Sequence, residues 1–278
     1  MEQIRELFQH SKDFGLAHDD MNEIMFYLAH ITSEFRSVAY EAVSMSLALR
    51  DFKKDESLST WKSFMQGPAA VYISQVHVGL GWAISQENQN LKHLPAIDHL
   101  MVPRVIDGCG YYDGLFRSRQ TIKIRKLPEQ FTDTALSYYD QGVGRSIWYS
   151  CLGNPEKVKE IITQFDTARQ SALWRGIGIA AAFVGGCDEK KLTELFFFSG
   201  NYRTQLATGV AIASRERVKS NSVTPDIELA CGICWNRSAN EITALSENLL
   251  PSEVTEGSYT AWITALEKSF ITSDLINQ

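Results

Sequence analysis

Three side chains in this sequence are the candidates to move protons: His77, Asp107 and Asp113. A histidine titrates near neutrality, and a carboxylic acid in an apolar setting can give a proton and take it back. Six further residues have the chemistry to hold a substrate, namely Trp82, Tyr111, Tyr112, Gln141, Arg145 and Arg175. Aromatic faces suit an apolar chain, while an amide and two guanidinium groups suit its polar or charged end. The reaction that such a set supports is a cofactor-independent proton transfer or cyclisation on a polyene or other long apolar molecule. Each residue also has an architectural reading. His77 lies on an otherwise apolar helix, where a hydrogen-bonded core histidine is common, and Asp107 can pair with Arg145 or Arg175 to fix the register of neighbouring helices. Asp107 and Asp113 are not on one helix face, so they would act together only if the chain bent at its glycines.

Other motifs are weaker. Cys231-Gly232-Ile233-Cys234 is a single CxxC without a second pair, and no βαβ unit surrounds it. The Gly-x-Gly pairs lack the preceding strand, third glycine and downstream acid of a dinucleotide site. No Walker loop, HExxH or GxSxG is present. The expectation is therefore no cofactor and no metal.

The elements that must position these residues are helices. Apolar residues recur at helical spacing over Ser33–Asp51, Pro68–Gln86, Thr132–Cys151, Pro155–Phe165, Ala168–Gly185, Asp188–Ser199, Tyr202–Lys219 and Thr224–Leu245. Thr32 or Ser33, Thr132 or Asp133, and Asn154-Pro155 stand where helices begin, and Gly153, Gly185-Gly186 and Gly200 where they end. Strand alternation is nearly absent, so the fold class is all-α.

A finer signal lies inside the helices. Small-residue pairs recur at Ser44/Ser46, Gly79/Gly81, Gly108/Gly110, Gly142/Gly144, Gly176/Gly178 and Gly209/Ala211, their first members 35, 29, 34, 34 and 33 residues apart. Glycine in a helix interior costs about 1 kcal/mol relative to alanine, so a close approach of a neighbouring helix must offset it. The spacing predicts stacked helical hairpins of about 34 residues, in a tetratricopeptide-like solenoid or a closed helical array. The tetratricopeptide signature itself does not occur in order. In this register the position before each pair and the one three residues after its first member share a face. Those positions hold Val43 with Leu47, Val78 with Trp82, Asp107 with Tyr111, Gln141 with Arg145, Arg175 with Ile179, and Thr208 with Ile212.

Two regions depart from this pattern. Residues 1–31 are polar and poorly periodic and read as a capping segment, leaving 32–278 as one helical-repeat domain. Near 116–131 the chain carries Arg117, Arg119, Lys123 and Arg125 around an alternating Thr121-Ile122-Lys123-Ile124, which reads as a basic insertion, loop or small hairpin. Such a segment is usually solvated; the sharper reading is a contact for an acidic carrier protein.

Composition narrows the class. The chain has 278 residues, 44% of them hydrophobic, and a net charge of -6, which suits an ordinary globular protein and argues against a nucleic-acid binder. Five scattered cysteines suit a reducing compartment better than a disulfide framework. The amino terminus carries acids in place of an apolar leader, and the longest uncharged run, Ile177–Cys187, is about half the length a membrane span needs. A cytoplasmic protein without a membrane span is expected.

The strings His77-Val78-Gly79-Leu80-Gly81-Trp82-Ala83, Asp107 to Phe116, Asp140 to Trp148 and Leu173-Trp174-Arg175-Gly176-Ile177-Gly178 occur in the order seen in one uncharacterised family. Over about Phe35 to Trp262 the sequence resembles the enediyne biosynthesis protein UnbL-like family. Its members are commonly encoded beside iterative polyketide synthases that make conjugated polyenes, which implies a role in processing or carrying such a chain. The family pattern has an aromatic residue at the position of Cys109, histidine at Tyr112 and often Glu or Gln at Asp113, so chemistry resting on that histidine is not implied here. Two functions follow. One is an accessory enzyme of natural-product biosynthesis using His77, Asp107 or Asp113. The other is a non-catalytic helical-repeat protein that binds, shields or scaffolds the polyketide chain or its carrier.

Overall fold

The structure is a computed structural model that describes residues 1–54, 57–91 and 97–277. Among the described residues there are helices and connecting segments but no strand. In chain order the α-helices are α1 (Glu2–Ala17), α2 (Met21–His30), α3 (Ser33–Lys54), α4 (Ser59–Gln66), α5 (Ile73–Glu87), α6 (Val102–Phe116) and α7 (Asp133–Ser150). They continue with α8 (Pro155–Ile162), α9 (Thr167–Val184), α10 (Glu189–Phe198), α11 (Arg203–Lys219), α12 (Pro225–Trp235), α13 (Ala239–Asn248) and α14 (Ser258–Asn277).

Local chemistry sets most of the boundaries. The Asn154 side chain accepts from the Lys157 amide at 3.0 Å ahead of Pro155, and Asp166, Asp188 and Thr224 cap α9, α10 and α12 in the same way. Gly153, Gly185, Gly186 and Gly200 have positive φ at helix ends, as their placement in the sequence predicts. The run expected to be one helix over Thr224–Leu245 is two, because Asn236 turns left-handed at φ 51° and Ser238 with Glu241 forms a capping box that starts α13. The segment 1–31 folds as α1 and α2, with α1 packed on α3. Near 116–131, α6 runs to Phe116 and a single π turn spans Arg119–Lys123, so the small hairpin does not form.

Packing follows the small residues. The helices α3, α5, α6, α7, α9 and α11 lie in a row, each against the next. At every junction a glycine replaces side chain with backbone. A Cβ on Gly108 would strike the Val78 carbonyl, one on Gly142 the Asp107 carbonyl, one on Gly176 the Gln141 carbonyl and one on Gly209 the Arg175 carbonyl. The second small residue looks the other way: Gly81 meets the Val105 carbonyl, Gly110 that of Tyr139, Gly144 that of Leu173 and Gly178 that of Leu206. Each pair therefore serves the helix before it and the helix after it. Short helices form an outer layer, with α8 against α10 and α10 against α12. The far end of the row also reaches its start, because Arg217 on α11 donates to the Glu34 carbonyl on α3 at 2.6 Å. The core includes fully buried Trp148, Phe64, Ile84, Ile147 and Leu173, each stabilising the fold by about 1.5–3 kcal/mol.

Candidate functional site

Because the row curls, the faces singled out by the repeat register converge. Asp107 on α6 is fully buried and accepts from Arg145 on α7 at 2.6 Å and from the Gln141 amide at 3.1 Å. Gln141 passes the chain on by accepting from Arg175 on α9 at 2.7 Å, and Arg175 also donates to Ser137 at 3.0 Å. The Arg145 guanidinium lies over the Tyr111 ring at 4.3 Å and within 3.9 Å of Glu41 on α3. Four of the expected residues, Asp107, Gln141, Arg145 and Arg175, are thus one connected network. Their polar groups satisfy one another.

The network extends through residues outside the expected set. Arg104 on α6 pairs with Glu216 on α11 at 2.7 Å and approaches Asp107 at 3.9 Å, and Gln75 on α5 donates to the other oxygen of Glu216 at 2.8 Å. Relative to the first glycine, Gln75 and Arg104 stand four residues before and Glu216 seven residues after. Those positions continue the same helical stripe by one turn at each end, so extending the register would have found them. Glu41 sits one position off the stripe. Burial pushes its carboxyl up to about 7 against the pull of Arg145, with Asp107 and Glu216 adding repulsion.

Of the remaining expected residues, Tyr111 adjoins this network beneath the Arg145 guanidinium and the others are held by different partners. His77 is buried, bonded through Nδ1 to the Ile73 carbonyl at 2.7 Å and edge-on to Trp61 at 5.1 Å. A carbonyl only accepts, so Nδ1 carries the proton, and burial lowers the imidazole to about 4. His77 is therefore neutral at physiological pH. Asp113 is at the other end of α6, held by Ser85, Tyr139 at 2.8 Å and Arg117 at 2.9 Å. Trp82, Tyr111 and Tyr112 form an aromatic cluster with Phe8 and Phe116; Trp82 stands edge-on to Tyr111 at 4.9 Å and 4.6 Å from Phe8. The structure does not bring His77, Asp107 and Asp113 to one point.

Two surface features stand out. Between α1 and α2 an open groove of about 610 Å³ is lined by Phe14, His18, Asn22, Glu23, Phe26, Tyr27 and His30. On the π turn, Arg119 and Lys123 are exposed beside exposed Phe116, Ile124 and Leu127, whereas Arg117 is bound to Asp113, to the Ser85 carbonyl at 2.7 Å and to Asn88. Arg125 donates to the neutral side-chain amide of Gln164 at 3.2 Å. Among the described residues no group of three or more His, Cys, Asp or Glu side chains is placed to hold a metal ion.

A family model described as a protein of unknown function, DUF1702, matches residues 1–270. The chain belongs to this DUF1702 family. The match takes in every helix of the buried network, from α3 to α11, and α1 and α2 as well. Comparison with curated proteins and with solved structures finds no match. Among the described residues no helix of this DUF1702 protein is long and apolar enough to cross a membrane.

Proposed function

We propose that this DUF1702 protein is a non-catalytic accessory protein of natural-product biosynthesis that binds an apolar polyketide or polyene chain and docks its acidic carrier. One observation carries the preference for binding over catalysis. The side chains best suited to proton transfer are engaged with the protein itself: Asp107 by Arg145 and Gln141, and His77 by its own backbone. The groove between α1 and α2, of about 610 Å³, supports the apolar ligand through Phe14, Phe26 and Tyr27, with His18, Asn22, Glu23 and His30 as its polar part. The charges of Arg119, Lys123 and Arg125, with apolar neighbours Phe116 and Ile124, support a carrier contact. The biosynthetic setting rests on the resemblance carried by the four glycine-bearing strings.

A second reading is favoured by Glu41. Burial raises this carboxyl to about 7, the range a general acid or base uses, and a cofactor-independent isomerase or cyclase would need its substrate to reach Glu41 beside Arg145.

The test is carrier binding and pathway output in parallel. With an acidic carrier protein from a polyene-forming synthase, the triple variant Arg119→Gln, Lys123→Gln, Arg125→Gln is expected to bind about tenfold or more weakly at low salt, with the difference shrinking at high salt. His77→Gln is expected to leave product yield unchanged. A fall of ~10²-fold in product on Glu41→Gln, with carrier binding intact, would replace the binding reading by the enzymatic one.

A further inference from the structure

Next to the central network, a narrow cleft of about 30 Å³ opens between α5, α6, α11 and α14, with Ser74, Arg104, Glu216 and Tyr259 among its walls and Leu100 and Met101 at its rim. Its polar walls are incompletely paired. Arg104 is 2% exposed and its Nε and Nη1 have no hydrogen-bond partner among the described residues, and the Tyr259 hydroxyl, on a residue 3% exposed, has none among them either. Donors this deeply buried are nearly always satisfied in folded proteins. The volume is enough for a water-sized group.

Charge selects the kind of group. The guanidinium of Arg104 is already met by Glu216 at 2.7 Å and Asp107 at 3.9 Å, and Arg215, the other cation on the cleft wall, is paired with Glu247, so an entering anion would find no uncompensated positive charge. A cation would face Arg104 itself. A hydroxyl oxygen is neutral, accepts from Arg104 and Tyr259, and has a proton to give to Glu216. We propose that the Arg104–Tyr259 cleft is a binding site for a single uncharged hydroxyl oxygen, either that of water or that of a small alcohol whose carbon chain lies against Leu100 and Met101. Bound there, the oxygen links α14 to the buried network through Tyr259. The assignment does not depend on the binding function proposed above, because it rests on the orphaned donors and the cleft volume alone.

The experiment is a crystal structure of the full chain at about 1.8 Å or better, repeated after soaking in sodium bromide and in 1-butanol. A single oxygen peak within about 2.6–3.2 Å of an Arg104 nitrogen and the Tyr259 hydroxyl supports the site. Butanol density running from that peak to Met101 identifies an alcohol site, and an unchanged peak identifies water. An anomalous bromide peak in the cleft, or no peak at all, overturns the proposal. Tyr259→Phe supplies a second readout with opposite signs. Losing a hydroxyl that holds the bound oxygen should lower the melting temperature by about 2–4 °C, whereas losing an orphaned buried hydroxyl would raise it. A rise overturns the proposal even if no crystals are obtained.

Discussion

Gly142 rests on the backbone carbonyl of Asp107, the residue whose carboxylate takes Arg145 at 2.6 Å. Backbone contact and ion pair share one origin: with no Cβ at position 142, α7 comes close enough to α6 for a side chain one turn further on to reach across. A related step occurs where Gly176 rests on the carbonyl of Gln141, whose side-chain oxygen accepts from Arg175, the residue just before the glycine.

Alanine is therefore expected to be harmful at these glycines although it is the better helix former. Gly142→Ala and Gly176→Ala should each lose about 1–3 kcal/mol or more, since the atom struck is backbone. Gly232→Ala on α12, with nothing within 4 Å of the new methyl, should gain about 0.4–1 kcal/mol. Chemical denaturation of the three variants decides the matter; equal effects at positions 176 and 232 would remove the close-approach argument.

Breaking the central pair from one side should be worse than removing both partners. Arg145→Met leaves Asp107 buried beside Gln141 and more distant Arg104, and is expected to cost about 3–5 kcal/mol. Adding Asp107→Asn to that variant should recover part of the loss. Additive losses in the double-mutant cycle would mean that the two residues act independently.

Glu41 makes stability depend on pH. Its carboxyl lies at about 7 in the folded protein against an ordinary 4.5, so between those values the folded state holds more protons than the unfolded state. Stability should fall as pH rises through this window, with the whole cost present above it. Glu41→Gln should raise the melting temperature at about pH 8, equivalent to at most about 3 kcal/mol, and do little near pH 4.5. A gain of equal size at both pH values would assign the effect to packing.

The basic residues of the segment after α6 should separate by role. Arg117→Gln removes the bonds to Asp113 and the Ser85 carbonyl and is expected to cost about 1–2 kcal/mol. Arg119→Gln with Lys123→Gln, at exposed positions, should change stability by less than about 0.5 kcal/mol. Thermal melts of the two variants side by side test this, and a large loss in the second would tie the π turn to the core.

Much of this architecture was legible in the chain itself. Helical periodicity, the cap at Asn154, and left-handed glycines at Gly153 and Gly185 are local properties that a few neighbouring residues decide. The glycine pairs announced close helix contacts, because a glycine held in a helix interior has a cost that packing must offset. The register even placed Asp107, Gln141, Arg145 and Arg175 on one stripe. What the stripe faces is not local. An open array with these residues along one wall would present a ligand groove, and the same helices curled until Glu216 on α11 reaches Gln75 and Arg104 present a buried network instead. That choice depends on the small rotation between successive helices, accumulated over the row, and no short stretch of sequence encodes it. Glu41 and Glu216 acquire their importance for the same reason: 175 residues apart in sequence, each takes its partner from a helix that only the completed curl brings within reach.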